Sequence, residues 1–232
     1  LPLLIGWKVV DFMEDTEGEE EKFYFVEEAK KMELEYYKNS IIHFFIPHCL
    51  VAISLLSGAE EVKQIESIIS DYIFLKNLFK NEFVFDAKEN PREKIMSIAD
   101  YFLDSAYLTR AEENEGYKVT KLGFDKLPIW AALSKTFLES YWIAVKSIGR
   151  KKIKGLKNED LLKNMNYLGK RFHKLGVIDH IEALSYLNFN NALNTINEEI
   201  MDITDDTEDH SPAIDRLSQL GQRLYELSHY RS

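Results

Sequence analysis

The sequence of 232 residues contains a single cysteine, Cys49, so the chain cannot form a disulfide within itself. This scarcity fits a reducing compartment such as the cytosol. Because Cys49 lies in an apolar stretch, we expect its thiol to pack as a small hydrophobic group rather than to act as a nucleophile. The length suits one large domain or two small ones, with enough material for a sizeable core.

Positive charge is also scarce. The 29 lysines and arginines are outnumbered by 39 aspartates and glutamates, which gives a net charge of -10 at pH 7. Proteins that bind nucleic acids neutralise phosphates with clustered lysines and arginines. The charge balance therefore argues against general nucleic-acid binding, and we expect no nucleic-acid partner.

No stretch of the sequence is long and apolar enough for a membrane span. The nearly continuous apolar run at residues 41–56 is interrupted by His43, Pro47 and His48, whereas a span needs about 18 to 20 apolar residues. The run therefore predicts the central buried helix of a domain. Because proline removes a backbone donor, we expect a kink or a break between two helices near Ile46.

The chain also lacks an initiator methionine and a secretory signal peptide. It begins at Leu1, with no charged segment followed by an apolar one. We therefore expect the chain to be an excised part of a longer protein, whose chemistry lies upstream of Leu1.

What the chain has is a globular composition, with 45% apolar and 12% aromatic residues. Two β-type runs, at residues 7–12 and 22–26, predict a β-hairpin within 7–26. The acidic loop between them lacks the alternating ligand positions of a calcium loop, so we read it as solvated. Helix-favouring residues follow from Glu27 and lead into the apolar run.

Helical periodicity predicts the next helix over residues 59–79, with Lys63 on its polar face. Asn90 and Pro91 then form a helix start signal, a capping residue followed by proline in the first turn. This signal predicts a helix over residues 91–105.

A β-hairpin is predicted where residues 108–110 and 117–120 flank a polar loop. Together with the preceding helix it suggests a winged-helix-like part at residues 91–148. The helix is balanced in charge and the hairpin tip is acidic, so phosphate would be repelled and a purely structural hairpin is the simpler interpretation.

A second apolar centre occupies residues 127–148, where apolar positions recur at spacings of three and four. We expect Pro128 in the first turn of this helix. Glu139 interrupts the apolar stripe, and a buried carboxylate needs a partner. The interpretations are a structural ion pair or hydrogen bond, or a contact with the substrate or another domain of the parent protein.

Histidines and carboxylates cluster around Gly176, which we expect to end a helix in the left-handed conformation. The set has the composition of a metal site: His173, Asp179, His180 and Glu182. It straddles the glycine, however, whereas helical metal sites place ligands three or four residues apart on one face. The sequence therefore predicts a capping and ion-pair cluster, no metal, and a helix from about Asp179 to residue 197.

The end of the chain is predicted as an acidic linker, residues 198–209, followed by a last helix over residues 211–228. We assign residues 1–200 to the main domain and residues 201–232 to the linker and terminal helix. The fold class predicted is mainly α, a multi-helix domain with one or two small β-hairpins, one of them winged-helix-like.

Short strings along the chain resemble a known family when their order and spacing are taken together. They are Tyr36-Tyr37-Lys38-Asn39, Ile41-Ile42-His43-Phe44-Phe45, Phe137-Leu138-Glu139-Ser140-Tyr141-Trp142, the run from Gly169 and Arg171 to Glu182-Ala183-Leu184-Ser185, and Asn191-Ala192-Leu193. Over roughly residues 24–200 the chain resembles the C-terminal region of the large membrane-associated glycerol-3-phosphate acyltransferases. The matching residues expected to be structural are Tyr37, Lys38, Asn39, His43, Glu139, Tyr141, Trp142, Arg171 and Glu182.

The resemblance implies that the intact protein transfers a fatty acyl group from an acyl-thioester to the first hydroxyl of glycerol 3-phosphate, a step of phospholipid biosynthesis. It implies a peripheral location on the cytosolic face of a membrane. For this domain we expect a supporting role without catalytic residues, cofactor or metal, with the catalytic acyltransferase domain of the same protein as partner. The alternative is a winged-helix-like module that binds nucleic acid or protein.

One basic run stands out in the acidic chain. Its members are Lys146, Arg150, Lys151, Lys152, Lys154 and Lys157. Three interpretations stay open: a solvated loop, a contact with an anionic membrane surface, or a dock for another domain.

His210 and Asp215 have the spacing of the family's catalytic His-Asp pair, in which histidine acts as base and aspartate orients it. About 0.36 such matches are expected by chance in a chain of this composition, so the spacing is weak evidence. An acidic linker precedes the pair, and the family's phosphate-reading Gly-Thr-Arg-Ser type of string is absent. We therefore assign no catalytic role to His210 or Asp215.

Overall fold

The computed structural model describes residues 5, 10–14, 22–58, 60–111, 116–148, 158–204 and 211–229. The chain divides into two compact units, Leu1–His43 and Phe44–Ser232. The fold class predicted from the sequence is confirmed, because the described residues are mainly helical and carry two small antiparallel sheets.

The first unit contains a β-hairpin and a helix. Strands β1 (Asp11–Glu14) and β2 (Lys22–Phe25) pair antiparallel, and helix α1 follows at Glu28–Ile41. The predicted hairpin is confirmed, and its first strand begins at Asp11, after a bend at Val10. Residues 6–9 and the acidic loop at 15–21 lie outside the described residues.

The apolar run at residues 41–56 is broken as predicted. A short 3₁₀ helix, Ile42–Phe44, is followed by helix α2 at Ile46–Leu56. Pro47 falls in the first turn of α2, where its missing N–H removes no helical hydrogen bond. Nine of the eleven residues of α2 are buried, so this helix forms a centre of the core.

The next elements follow in the order strand, helix, helix, hairpin. They are β3 (Val62–Gln64), α3 (Ile65–Leu78), α4 (Pro91–Asp104), β4 (Leu108–Arg110) and β5 (Gly116–Val119). The three strands form an antiparallel sheet in the order β3-β5-β4. With α2 in front, this is the element order of a winged helix.

Two predictions in this region have different outcomes. The start of α4 is confirmed, because the Asn90 side chain accepts hydrogen bonds from the backbone N–H of Arg92 at 3.1 Å and of Glu93 at 3.4 Å. The helix predicted over 59–79 was wrong at its start, because Val62–Gln64 is a strand paired with β5. Lys63, expected on a solvent-facing side, is consequently buried.

Two helices replace the single helix predicted over residues 127–148. They are α5 (Lys121–Ala132) and α6 (Lys135–Ile148), so Pro128 lies inside α5 and its predicted place in a first turn was wrong. Helix α5 starts earlier because Thr120 caps it: its Oγ1 accepts the N–H of Gly123 at 2.9 Å. A Cβ on Gly123 would lie 2.0 Å from the carbonyl oxygen of Tyr107, so glycine is required for this close approach.

The last elements are α7 (Asn158–Lys174), a 3₁₀ helix (Ile181–Leu184), α8 (Tyr186–Thr204) and α9 (Ser211–Ser228). Gly176 has a φ of +66°, which confirms the left-handed position predicted after α7. The predicted helix start at Asp179 was wrong, because the 3₁₀ helix and a break at Ser185 come first. The linker predicted from residue 198 was also wrong as far as Thr204, which ends α8.

Two central helices organise the second unit. Helix α2 packs against α3, α4 and α5, while α6, with twelve of its fourteen residues buried, packs against α7, α8 and α9. Contacts of α5 with α6 and of α2 with α9 join the two groups. Of the helices in the described residues, none combines the length and hydropathy needed to cross a membrane.

Candidate functional site

Glu139 lies at the centre of a buried polar cluster on α6. Its side chain is 3% exposed. The carboxylate accepts the backbone N–H of Asp179 at 2.9 Å and of His180 at 3.1 Å, and it lies 3.2 Å from Nδ1 of His180. The prediction that this buried carboxylate has a partner is confirmed. Its partners include backbone donors at the entry of the 3₁₀ helix, so Glu139 fastens that segment to α6.

Side chains next to Glu139 also connect α6 and the residues just before it to the segment around the 3₁₀ helix. Asp179 accepts a hydrogen bond from Lys135, and this bond holds the pKa of the Asp179 carboxyl below its usual value. Ser140 Oγ donates to the carbonyl oxygens of Ala183 at 2.6 Å and Thr136 at 2.8 Å. The cluster is therefore used for tertiary packing, and it contains Asp179 and His180 of the predicted capping and ion-pair set.

The pairing of Glu139 with His180 has the geometry of a base and its orienting group. Among the described residues, however, no hydroxyl or thiol is hydrogen bonded to His180 as a nucleophile. The same part of the chain offers no group of three or more His, Cys, Asp or Glu side chains placed to hold a metal ion.

A second polar cluster is buried between the end of α3, α6 and α8. Oε2 of Glu82 accepts a hydrogen bond from Nδ2 of Asn191 at 3.0 Å, and burial raises the pKa of Glu82 to about 7. Burial, with the nearby charge of Glu82, also raises the pKa of Tyr141. Thr195 accepts from Asn81 at 3.0 Å beside them. The Glu82 carboxyl is thus a titratable group near neutral pH inside the helical core.

Four aromatic rings form a surface that we call the aromatic face: Phe45 just before α2, His48 of α2, Tyr101 of α4 and Trp130 of α5. His48 stacks on Trp130 with ring centroids 5.1 Å apart, and Tyr101 meets the edges of both rings. Phe45 lies against Trp130 with centroids 6.1 Å apart. Yet Phe45 is 38% and Tyr101 46% exposed, and Ile129 beside Trp130 is 62% exposed.

The electrostatics of the aromatic face favour an uncharged surface. Burial, with a smaller effect of the Lys94 charge, lowers the pKa of His48. Its imidazole is therefore mainly neutral at pH 7. The sequence analysis missed this face, because Phe45, Tyr101 and Trp130 lie far apart in the chain.

The comparison with protein families decides the identity of the chain. The model described as "Glycerol-3-phosphate acyltransferase C-terminal region" matches residues 5–202. This chain belongs to that family. The resemblance inferred from short strings over residues 24–200 is thereby confirmed and extended towards the N-terminus. No curated protein matches the chain.

Within this glycerol-3-phosphate acyltransferase C-terminal region, the residues that carried the resemblance occupy several environments. Tyr37, Lys38 and Asn39 lie in α1, with Tyr37 exposed, and His43 is exposed in the 3₁₀ helix that follows. These four residues belong to the first unit.

The matching residues of the second unit lie in and around α6. Glu139, Tyr141 and Trp142 are buried in α6, and Trp142 packs on Phe172 with ring centroids 4.9 Å apart. Arg171 is exposed on α7, and Glu182 is half-buried in the 3₁₀ helix. The structure brings Glu139 into contact with Asp179 and His180. The sequence could not predict this contact, because the residues lie about forty positions apart in the chain.

The basic run, for which three interpretations stayed open, is described only at one residue. Lys146 is partly buried and places its Nζ 5.6 Å from the centre of the Trp142 ring, a cation–π contact. Arg150, Lys151, Lys152, Lys154 and Lys157 lie outside the described residues. So does His210, while Asp215 is exposed on α9.

Proposed function

We propose that this chain is the non-catalytic C-terminal domain of a glycerol-3-phosphate acyltransferase and that its aromatic face docks on the catalytic domain of the same protein. The intact enzyme would transfer an acyl group from a thioester to the first hydroxyl of glycerol 3-phosphate. Family membership supports the parent activity. None of the described residues is assigned a chemical step.

The observation that carries the docking proposal is the exposure of the aromatic face. Its rings contact one another across three helices, yet Phe45 and Tyr101 keep more than a third of their surface in solvent. Interface cores are enriched in aromatic residues and depleted of charge, which matches this cluster with its neutral histidine. The catalytic domain is the proposed occupant because the matching family is described as one region of an acyltransferase.

The two buried polar clusters, around Glu139 and Glu82, favour a structural role for this domain over a catalytic one. Glu139 is engaged with backbone N–H groups, and Glu82 is engaged with Asn191. A catalytic acid or base needs access to substrate, and both carboxylates lie among packed helices.

The experiment measures binding between this chain and the separately purified catalytic domain. In the double variant Tyr101→Ser and Ile129→Ser, we expect binding at least about tenfold weaker, because each change removes exposed apolar surface from the contact. Acyl transfer from acyl-CoA to glycerol 3-phosphate by the reassembled pair should fall in parallel. The chain alone should show no transfer.

Tyr167→Ser is the matched control, because Tyr167 is 68% exposed on α7, outside the aromatic face. It should bind like the unchanged chain. Equal binding by the double variant and the control would refute docking through the aromatic face. Acyl transfer by this chain without the catalytic domain would refute the non-catalytic assignment.

The winged-helix order of elements favours a second candidate, an interaction module for a macromolecule. Three of its cations are already paired: Arg92 with Glu66, Lys118 with Glu61, and Arg110 with Asp100 at 2.9 Å. Phosphate contacts would have to break these ion pairs. A protein partner therefore suits this part of the domain better than a nucleic acid does.

An anionic membrane surface is the further partner that we propose, through the basic run. Each lysine or arginine near such a surface contributes about 1 kcal/mol. The run concentrates positive charge in a chain with a net charge of -10. This contact would place the enzyme at the cytosolic face of a membrane.

A further inference from the structure

A polar cavity of about 680 Å³ opens between α3, α9 and the end of α2. All of its lining residues belong to the second unit, and they include Ser57, Gly58, Lys63, Ser70, Asp71 and Arg223. Its volume lies in the range of small-molecule sites in proteins. The lining is rich in hydroxyl and amide groups, so a polar ligand would suit it.

Lys63 is the unusual residue of this cavity. The residue is 7% exposed. Its Nζ lies close to Gly58, at 3.4 Å from the position that a Cβ on this glycine would take. Within the described part of the chain, no acceptor is hydrogen bonded or ion paired with this Nζ. Because the residue is buried while its side chain lines the cavity, a negative group or a strong acceptor that enters the cavity can meet this ammonium group.

The carboxylates that line the cavity do not serve as that partner. Asp71 accepts hydrogen bonds from Ser54 Oγ at 2.7 Å and from Arg223 Nη2 at 3.1 Å. Glu226 accepts from Gln222 at 2.8 Å. Arg223 is thus paired with Asp71, and within the described residues neither carboxylate is hydrogen bonded to the Lys63 ammonium.

The start of α3 adds donors that suit an anion. Ser67 lies in its first turns and lines the cavity, and the N-cap residue Gln64 accepts none of the helix N–H groups with its side chain. The N-terminus of a helix carries partial positive charge and free N–H groups. An anion near Lys63 would therefore meet an ammonium, hydroxyls and a helix start together.

We infer that this cavity binds a phosphate monoester, with the phosphate at Lys63 and a hydroxylated organic part along the serines and glutamines of α3 and α9. A phosphate offers several acceptor oxygens to the several donors present, whereas a carboxylate offers two. The cavity is much larger than a phosphate ion, so the ligand carries an organic group. That group is either a free small molecule or the headgroup of a lipid such as phosphatidic acid.

The test titrates the full 232-residue chain at low ionic strength with inorganic phosphate and with glycerol 2-phosphate, followed by calorimetry and amide chemical shifts. We expect saturable binding, tighter for the monoester, with shifts at the residues that line the cavity. Lys63→Met should weaken binding about tenfold or more, since a hydrogen bond to a charged group is lost. Lys163→Met, at an exposed position of α7 outside the lining, should bind normally.

A second pair of variants tests the site without changing the buried Lys63, so the result does not depend on whether Lys63→Met folds. Gln219 is exposed on α9 at the rim of the cavity. Gln219→Glu should weaken phosphate binding and Gln219→Lys should strengthen it, each by a few-fold. Opposite shifts of this kind support the site even where Lys63→Met fails to fold.

Vesicles distinguish the two sources of the phosphate. Binding to phosphatidylcholine vesicles that contain phosphatidic acid, sensitive to Lys63→Met, identifies the lipid headgroup, while binding in solution alone identifies a free monoester. Absence of saturation in solution and on vesicles overturns the inference. So does binding that neither Lys63→Met nor the Gln219 pair changes, and acetate that binds as well as phosphate overturns the ligand class.

Discussion

Glu82 shows how burial sets the behaviour of a single residue. Burial raises the pKa of its carboxyl to about 7, and the hydrogen bond from Asn191 offsets only part of that effect. Because the folded state favours the protonated form, the contribution of Glu82 to stability is fully present below the unfolded pKa near 4.5. It is lost as the pH rises through about 7.

We therefore expect Glu82→Gln to stabilise the chain at alkaline pH. Glutamine keeps the hydrogen-bonding shape without the buried charge, so the free energy of unfolding should gain about 2 kcal/mol more at pH 8 than at pH 5. Urea unfolding at the two pH values measures the difference. Glu60→Gln, at an exposed position, is the control and should show no such dependence. A gain from Glu82→Gln that is equal at both pH values would contradict the raised pKa.

Individual residues were predictable where a local rule applies. The caps at Asn90 and Gly176 follow from short-range backbone geometry, and the need of Glu139 for a partner follows from its place in an apolar stripe. The identity of that partner was not predictable, because Asp179 and His180 lie about forty residues away. The aromatic face and the burial of Lys63 likewise depend on contacts between distant segments.

Helices and strands were likewise predictable where a local signal sets them, and not where a distant partner does. The break at Ile42–Phe44 and the helix Pro91–Asp104 were predicted because proline and capping signals act within a few residues. Strand Val62–Gln64 was missed because three residues form a strand only when a partner, here β5, lies beside them. For α5, the cap at Thr120 was a usable signal, and reading Pro128 as a first-turn residue obscured it.

Helix α9 packs its apolar face on α6. Leu224 is fully buried, and a Cβ on Gly221 would approach Val145 of α6 at 3.1 Å, so the two helices lie close together.

We expect Leu224→Ala to lower the free energy of unfolding by about 2 to 4 kcal/mol, because it removes buried hydrocarbon and leaves a cavity. Thermal and urea unfolding measure this loss. Ser218→Ala, at an exposed position of α9, should change the free energy by less than about 0.5 kcal/mol. A loss of that smaller size for Leu224→Ala would mean that α9 does not contribute to the core.

At the scale of the whole molecule, an acidic chain with one concentrated basic run predicts orientation on a membrane. Replacing Arg150, Lys151, Lys152, Lys154 and Lys157 with glutamine should weaken binding to anionic vesicles at least about a hundredfold, since each charge contributes about 1 kcal/mol. Sedimentation with vesicles of phosphatidylcholine, with and without phosphatidylserine, measures this.

The control for net charge replaces five exposed lysines elsewhere with glutamine: Lys88, Lys121, Lys163, Lys170 and Lys174. This variant should keep its membrane binding. Equal binding of the unchanged chain to neutral and anionic vesicles, or no binding to either, would rule out the basic run as a membrane contact.

The fold class and the family were both accessible from the sequence. Residue order and spacing carried the family resemblance, and periodicity with turn signals carried the mainly helical class. The grouping of helices around α2 and α6 could not be derived in this way, because it depends on which apolar faces meet in three dimensions.

The single thiol gives this fold a natural reporter. Cys49 is fully buried in α2, and its Sγ donates to the carbonyl oxygen of Phe45 at 3.1 Å. A thiol-reactive dye can reach it only when α2 separates from its neighbours, so the labelling rate of the unmodified chain records how often the centre of the domain opens.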